Sequence, residues 1–143
     1  TIGHDVLNLD INFEQFEKLL LKRSDWTLPK FLMNQKYLSG IGNYLKSEIL
    51  YDCKISPHTK IKDLNKDLIN QLFNSISKIP IQSYNSQGVS LRDYVPPETY
   101  RSQLESFELK VYDNDMDENG YTIIREKTDD KRTTHWVPQI QIF

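Results

Sequence analysis

Cysteine is almost absent from this sequence: Cys53 is the only one among 143 residues. A lone cysteine cannot form an intrachain disulfide, which favours an intracellular protein. It cannot supply the cysteine set of a structural zinc, and the three histidines are too scattered to replace that set. Because Cys53 follows Ile49 and Leu50 in an apolar, helix-like stretch, we predict that it packs in the core and has no catalytic role.

Long apolar runs and an excess of basic charge are also missing. No apolar stretch approaches the roughly 20 residues that span a bilayer, and no secretory signal is recognised, so no membrane partner is expected. The net charge of -2 argues against a uniformly basic nucleic-acid-binding protein. The charges are unevenly spread, however. Residues 14–62 carry nine Lys/Arg and five Asp/Glu, whereas residues 93–118 carry eight acids and two bases.

Apolar periodicity and capping signals predict helices in the first part of the chain. Three signals mark helix starts: the capping-box pair Asn12 and Gln15, Pro29 in a first turn, and Asn65 as a cap. Pro80 is expected to end the helix that Asn65 begins. A further helix is predicted over 43–53.

The pattern changes to that of strands after Gly88. Alternation predicts a strand over 107–111, Asn119-Gly120 predicts a hairpin turn before a strand over 121–124, and residues 133–137 predict a returning strand after a polar turn. The expected fold is mainly α with a C-terminal antiparallel β-hairpin, α+β overall. We expect a helical domain over 1–94, a loop over 95–106 and a β-hairpin unit over 107–143.

The most informative pattern is a pair of glycines, Gly40 and Gly42, just before Asn43 and an apolar-periodic run. Glycine permits positive φ and close approach of another chain. A glycine turn that leads into a helix aims unpaired N–H groups outward, where they favour a phosphate. The Asn43 amide adds a further donor. No Gly-Lys-Ser/Thr ending follows, so a nucleotide-binding P-loop is not predicted. From the glycines alone, an ordinary turn between two packed helices fits equally well.

The stretch around these glycines also carries a family resemblance. Residues 40–50 read Gly-Ile-Gly-Asn-Tyr-Leu-Lys-Ser-Glu-Ile-Leu. They resemble the helix–two-turn–helix hairpin of the formamidopyrimidine-DNA glycosylase/endonuclease VIII (Fpg/Nei) family, in a form closer to its endonuclease VIII branch. Three later segments are similar to the family in the expected order: 90–95, 108–112 and 132–141.

The resemblance implies roles for particular residues. Asn43, with Gly40 and Gly42, would bind a DNA phosphate near the damaged nucleotide. Arg132 would be the finger arginine that binds phosphate beside the lesion, for which its planar fork is suited. Local sequence alone favours a solvated turn arginine at this position, because two aspartates stand close by. Gln141 matches a further position of the endonuclease VIII finger.

Family members usually carry a four-cysteine zinc finger at this end of the chain. Here Val137 and Ile140 stand where the second cysteine pair would be, and no first pair exists. The chain therefore resembles the zincless-finger branch, so neither a metal nor another cofactor is expected. Hydrophobic packing by four residues would replace the zinc: Ile124, Trp136, Val137 and Ile140.

Four further residues are candidates for secondary DNA contacts. Lys36 and Lys46 are expected to be surface or phosphate-proximal charges. Tyr100 and Arg101 fall where the family carries a variable loop near the flipped base, and there they could stack on a base or border it. A plain mobile linker fits that segment as well.

The family's chemistry uses an N-terminal proline amine, followed by a glutamate, to attack the sugar and form a Schiff base. This chain begins with Thr1 and has neither residue, so we expect no catalytic residue in it. We expect the C-terminal half of a bifunctional DNA glycosylase/AP lyase of base excision repair that removes oxidised bases, pyrimidines by the branch resemblance. The implied partners are double-stranded DNA with oxidised bases or abasic sites and the N-terminal domain of the same protein. We expect a monomer located with the genome, in nucleus or cytoplasm.

Two alternatives stay open. The first is a stand-alone nucleic-acid-binding module, because such hairpins also occur in ribosomal and topoisomerase contexts; the Arg132 finger would distinguish the two. The second is an enzyme that uses Thr1 as an N-terminal nucleophile. No paired lysine or supporting motif near Thr1 favours that second alternative.

Overall fold

The computed structural model describes residues 3–92 and 108–143, and for residues 87–92 it describes the backbone alone. The elements are β1 (His4–Asp5), α1 (Phe13–Leu21), α2 (Leu28–Leu32), β2 (Leu38–Ser39), α3 (Asn43–Asp52), a 3-10 helix (Ile61–Asp63), α4 (Lys66–Arg92), β3 (Ile124–Lys127) and β4 (Thr133–Trp136). We call residues 3–92 the helical unit and residues 108–143 the C-terminal unit. The predicted α+β class, with a C-terminal antiparallel hairpin, is confirmed.

The predicted helix starts are confirmed by their capping bonds. Asn12 Oδ1 accepts from the N–H of Gln15 at 2.9 Å, and Gln15 Oε1 accepts from the N–H of Asn12 at 2.8 Å, which completes the capping box. Pro29 lies in the first turn of α2. Asn65 Oδ1 accepts from the N–H of Leu68 at 2.9 Å at the start of α4. Each start is fixed by bonds among residues close in sequence.

The helical unit is built around one apolar core. Its fully buried members come from α1, α2, α3, α4 and the connections between them: Val6, Phe16, Leu20, Leu28, Phe31, Leu32, Leu38, Ile49, Leu50, Ile55, Ile61, Leu72 and Ile76. Cys53 is 2% exposed, as predicted, and burial raises the pKa of its thiol to about 12. β1 pairs in parallel with β2, which ties the start of the chain to the segment before α3.

Helix α4 does not end at Pro80, so that prediction is wrong. The proline lacks the N–H that would bond to the carbonyl four residues earlier, yet the helix runs on to Arg92. Pro80 is buried beside Tyr44 and Leu45 of α3. One turn further on, the hydroxyls of Tyr44 and Ser83 lie 2.9 Å apart. These contacts with α3 compensate for the missing backbone bond.

The predicted strand over 107–111 is also wrong where it falls within the described residues, because 108–111 form no strand. The N–H groups of Lys110 and Val111 donate to the Glu48 carboxylate, at 2.8 and 3.0 Å, and so are not available to a neighbouring strand.

The Asn119-Gly120 turn is present, with Gly120 at φ +83. It closes only a single bridge, Met116 with Thr122. The predicted strand over 121–124 is shifted, since β3 begins at Ile124.

The C-terminal hairpin consists of β3, the turn over 128–132 and β4. The strands pair antiparallel, from Ile124 opposite Trp136 to Lys127 opposite Thr133, which confirms the polar turn and the returning strand. Beneath it lies a second apolar cluster: Tyr51, Val111, Ile123 and Val137, with Ile140 packed against it. Ile123 takes the place predicted for Ile124, which is only half-buried. In residues 3–92 and 108–143, no group of three or more His, Cys, Asp or Glu side chains is arranged to hold a metal.

None of the helices in the described part of the chain, including α4, is long and apolar enough to cross a membrane.

Candidate nucleic-acid interface

The turn before α3 is held in one conformation. Gly40 has φ +97, a conformation that glycine adopts readily, and a Cβ there would lie 3.1 Å from Val6 Cγ2. The side-chain amide of Gln35 bonds to the turn through both its oxygen and its nitrogen. Its Oε1 accepts from the N–H of Gly40 at 3.1 Å, and its Nε2 donates to the Ile41 carbonyl at 3.4 Å. The start of α3 is therefore presented on a fixed loop.

Gly42 lies next to open space at the start of α3. It is the N-cap of α3 with φ -95, a value open to any residue. A Cβ at this position would meet no heavy atom within 4 Å. Neither the backbone nor packing within the described chain requires glycine here. The open space adjoins the first turn of α3, whose leading N–H groups precede the first intrahelical bond, from Lys46 N–H to Gly42 O. A bound anion can approach the backbone closely at this point.

Asn43 connects this helix start to the C-terminal hairpin. Its Nδ2 donates to the Thr133 carbonyl at 2.8 Å, across 90 sequence positions. Its Oδ1 accepts from Lys46 Nζ at 2.8 Å. Because the amide nitrogen carries two hydrogens, one donor remains beyond the bond to Thr133. Thr133 follows Arg132 directly, so the structure brings the two predicted phosphate ligands, Asn43 and Arg132, to one place.

Arg132 is exposed, and its backbone is anchored. Its carbonyl accepts from the N–H of Thr128 at 3.0 Å. Within the described residues its guanidinium forms no ion pair. The two neighbouring aspartates bond to other residues: Asp130 bonds to Lys46, and Asp129 Oδ2 accepts from the Thr27 hydroxyl at 3.4 Å. The guanidinium is thus presented to solvent from a fixed turn.

Lys46 is not the surface charge that the sequence suggested. Its side chain is 0% exposed, and its ammonium lies 2.7 Å from Asp130 Oδ2, whose own side chain is 2% exposed. Burial lowers the pKa of Lys46, and the hydrogen bond that its ammonium donates to Asp130 opposes that shift. The expectation of a surface lysine is wrong, because the C-terminal hairpin covers this face of α3. The other expectation, a charge close to a bound phosphate, stays a prediction; Lys46 bonds to Asn43.

Asp130 in turn organises the hairpin turn. Its Oδ1 accepts from the Thr128 hydroxyl at 2.5 Å, and the hydroxyls of Thr128 and Thr134 lie 2.7 Å apart. The sequence interpretation overlooked this network. The Thr-x-Asp spacing is a local turn signal, but nothing in the sequence pairs it with Lys46.

Three consecutive residues of α3 bond to the C-terminal unit. Beyond Lys46, the Ser47 hydroxyl accepts from the N–H of His135 at 3.1 Å. The Glu48 carboxylate accepts from three successive N–H groups, those of Lys110, Val111 and Tyr112, at 2.8, 3.0 and 2.9 Å. Burial raises the pKa of Glu48, while these three N–H groups oppose the shift. α3 is therefore buried on two sides and couples the phosphate site to the C-terminal unit.

The other predicted DNA contacts differ in how the structure bears on them. Gln141 is 1% exposed; its Oε1 accepts from the N–H of Val137 at 2.8 Å and its Nε2 donates to the Ile55 carbonyl at 3.0 Å. A contact from Gln141 to DNA would require these bonds to break. Lys36 is exposed just before the glycine turn, where its role stays a prediction. Tyr100, Arg101 and the loop over 95–106 lie outside the described residues.

Comparison with known proteins gives matches over nearly the whole chain. A model of the formamidopyrimidine-DNA glycosylase H2TH domain matches residues 2–94. Endonuclease 8 of Pectobacterium carotovorum is 32% identical over 142 residues, covering 98% of this chain and 52% of that protein. The formamidopyrimidine-DNA glycosylase of Carboxydothermus hydrogenoformans is 33% identical over 133 residues, covering 89% of this chain and 49% of the relative.

Solved structures give the same picture. A viral DNA glycosylase superposes with a TM-score of 0.76 at 29% identity, over 97% of this chain and 50% of its own. Lactococcus lactis Fpg, in complex with DNA that contains an abasic site, superposes with a TM-score of 0.78 at 27% identity, over 99% of this chain and 52% of its own. The chain spans about half the length of the proteins it matches.

Proposed function

This chain belongs to the formamidopyrimidine-DNA glycosylase/endonuclease VIII family, and we propose that it binds damaged double-stranded DNA as the C-terminal half of a bifunctional DNA glycosylase/AP lyase. The observation that carries the proposal is the 2.8 Å bond from Asn43 to the Thr133 carbonyl. It sets an open helix N-terminus beside Arg132, which is exposed and forms no ion pair among the described residues. Both groups favour the same ligand, a phosphate.

The site offers two complementary kinds of phosphate recognition. The first turn of α3 supplies backbone N–H groups and the positive end of its dipole. Arg132 supplies a planar fork that can bind two phosphate oxygens. Neither group reads a base edge, so this site positions the protein on the duplex without selecting sequence.

The catalytic steps belong to the remainder of the proposed parent protein. The relatives are about twice as long as this chain. We propose that the other half supplies a proline amine, which attacks the anomeric carbon of the damaged nucleotide. The base then leaves, and elimination through the Schiff base cuts the strand. Oxidised pyrimidines are the proposed lesions, from the likeness to endonuclease VIII.

DNA binding by this chain tests the phosphate site. We expect Asn43→Ala and Arg132→Ala each to weaken binding to a duplex with one abasic site by about 1–3 kcal/mol, roughly 5- to 150-fold in Kd. The loss should be similar for different flanking sequences. Fluorescence anisotropy at fixed salt measures it, with melting temperatures recorded for every variant.

Two further variants serve as controls. Arg132→Lys keeps the charge but loses the planar guanidinium, so its DNA affinity should lie between those of wild type and Arg132→Ala. Asn74→Ala changes an exposed asparagine on α4 and should bind as wild type does. Folded Asn43→Ala and Arg132→Ala variants with unchanged affinity would overturn the phosphate site.

The enzymatic proposal needs the natural gene product. Its intact mass and N-terminal sequence should show a longer chain that begins with Pro-Glu. That product should nick a duplex with one abasic site and be trapped on it by borohydride. A natural product that begins at Thr1 and binds without nicking would instead establish the alternative, a stand-alone DNA-binding module.

A further inference from the structure

A second groove lies between the turn that precedes Arg132 and the loop over 57–60 of the helical unit. Its volume is about 960 Å³, and three lysines line it: Lys60, Lys127 and Lys131. We call it the lysine groove. Its two walls are joined where the Thr27 hydroxyl donates to Asp129 Oδ2 at 3.4 Å. The groove begins one residue from Arg132, but it uses none of the phosphate ligands described above.

The charge of this groove is positive in a chain whose net charge is -2. All three lysines are exposed, and none of their ammonium groups forms an ion pair among the residues that the structure describes. Two acids also line the groove. Asp25 Oδ1 lies 3.5 Å from Lys62 Nζ, whereas Asp129 accepts only from the neutral Thr27 hydroxyl and keeps its negative charge. With three lysines against these two carboxylates, one of which faces Lys62, the groove keeps an excess of positive charge, which attracts an anionic partner.

Lys131 offers a charge that can be removed without straining the backbone. It has φ +66, in the left-handed region that disfavours residues with a Cβ. In this turn the N–H of Lys131 donates to the Thr128 carbonyl at 2.8 Å. Asparagine or glycine would adopt the conformation more easily. Replacing Lys131 with asparagine therefore removes the charge and keeps the turn.

We propose that Lys60, Lys127 and Lys131 bind the DNA backbone that continues past the phosphate held by Asn43 and Arg132. Phosphates of one strand recur about every 3.4 Å along the helix axis, so neighbouring residues of a turn can reach neighbouring phosphates. Lysine is a flexible point charge, suited to backbone contacts that carry no sequence information. This inference rests on the proposed function and extends its interface along the flank of the lesion.

Salt dependence of DNA binding tests the lysine groove. Lys60→Gln, Lys127→Gln and Lys131→Asn, alone and together, are compared with wild type from low to moderate salt. For every phosphate that a variant no longer neutralises, the slope of log K against log salt should become shallower by about 0.9, so the slope of the triple variant should be shallower by about 2–3. Lys131→Asn should melt no lower than wild type, which separates its effect on binding from any effect on folding.

Lys54 offers a matched control. It is exposed, it has φ +61, and it follows the far end of α3 from Asn43. Lys54→Asn makes the same change in the same backbone conformation and should leave the salt slope as it is. The duplex is also shortened from one end and, separately, from the other. Only one of the two shortened duplexes should abolish the difference between wild type and the triple variant, and that end is the bound flank.

Two failures are distinguishable. If Asn43→Ala and Arg132→Ala weaken binding but the triple lysine variant keeps the wild-type slope, the lysine groove does not bind DNA and the proposed function stands. If all of these variants bind as wild type does, the proposed function itself fails.

Discussion

Lys46 places an ammonium group in the interior, beside Asn43. Its ammonium bonds to Asp130 and to Asn43, at 2.7 and 2.8 Å. Removing one partner of a buried ion pair leaves the other charge without compensation. We expect Lys46→Met to lower the free energy of unfolding by about 3–5 kcal/mol, measured by urea denaturation. Lys36→Met, at an exposed position before the same turn, should change it by no more than about 0.5 kcal/mol.

A double-mutant cycle isolates the pair. Asp130→Asn alone should also destabilise, and the double variant should lose clearly less than the two single losses added together. DNA affinity should fall in Lys46→Met and in the double variant, because there Asn43 loses the partner that orients its amide. If Lys46→Met costs under about 1 kcal/mol, comparable to an exposed pair, the buried pairing described here is wrong.

Sequence alone located some of these residues and misjudged others. Gly40 was predictable, because its motif lies in one stretch and describes a local turn. Lys46 and Gln141 were misplaced, because their burial depends on partners more than 80 positions away, Asp130 and Ile55. The local sequence around a polar residue does not show whether its side chain is exposed or bonds to a residue far along the chain. Residues whose partners are distant therefore escaped prediction.

At the scale of elements, α3 determines how residues 110–112 are held. Three successive N–H groups of that segment donate to the Glu48 carboxylate. In Glu48→Gln, the amide oxygen can still accept from Val111 and Tyr112, but the NH₂ group faces the N–H of Lys110. We expect about 1–3 kcal/mol less stability.

Hydrogen exchange locates this effect. The amides of residues 110–112 should lose protection in Glu48→Gln, while those of α1 should change little. Glu14→Gln, at an exposed position in the first turn of α1, is the control and should alter neither. Unchanged protection of the 110–112 amides in a folded Glu48→Gln protein would contradict the role given to Glu48.

Elements were predictable where their signals are local. The helix starts at Asn12 and Asn65 depend on capping bonds three residues long. The end assigned at Pro80 failed, because packing of α4 against α3 outweighs a local rule. The strand predicted over 107–111 is wrong within the described residues 108–111, because the N–H groups of Lys110 and Val111 bond to Glu48 in spite of the alternating sequence pattern. The pairing of β1 with β2 was not foreseen, since two residues are too few to show an alternating pattern.

At the scale of the whole molecule, two apolar clusters lie on opposite sides of one helix. Ile49 and Leu50 of α3 belong to the large core, whereas Tyr51 belongs to the small cluster under the hairpin. The next contact of that cluster is polar: the Tyr51 hydroxyl donates to Asp117 Oδ2 at 2.9 Å. The α+β class followed from the order of patterns in the sequence. The position of α3 between the two clusters could not be predicted, because a helix that is covered on both sides shows no single apolar face in its sequence.

The small cluster under the hairpin leads to the last prediction. Tyr51, Val111, Ile123 and Val137 pack together where the common family pattern would place a zinc finger, and Val137 is 0% exposed. If this packing holds the hairpin, incubation with EDTA should leave the melting temperature unchanged, because a chelator destabilises only a domain whose fold depends on metal. Val137→Ala should lower it by several degrees, since deleting buried methyl groups costs about 1–3 kcal/mol. A protein with a four-cysteine zinc finger, treated in parallel, verifies that the chelator acts. A large fall in melting temperature with EDTA would mean that a metal stabilises this chain after all.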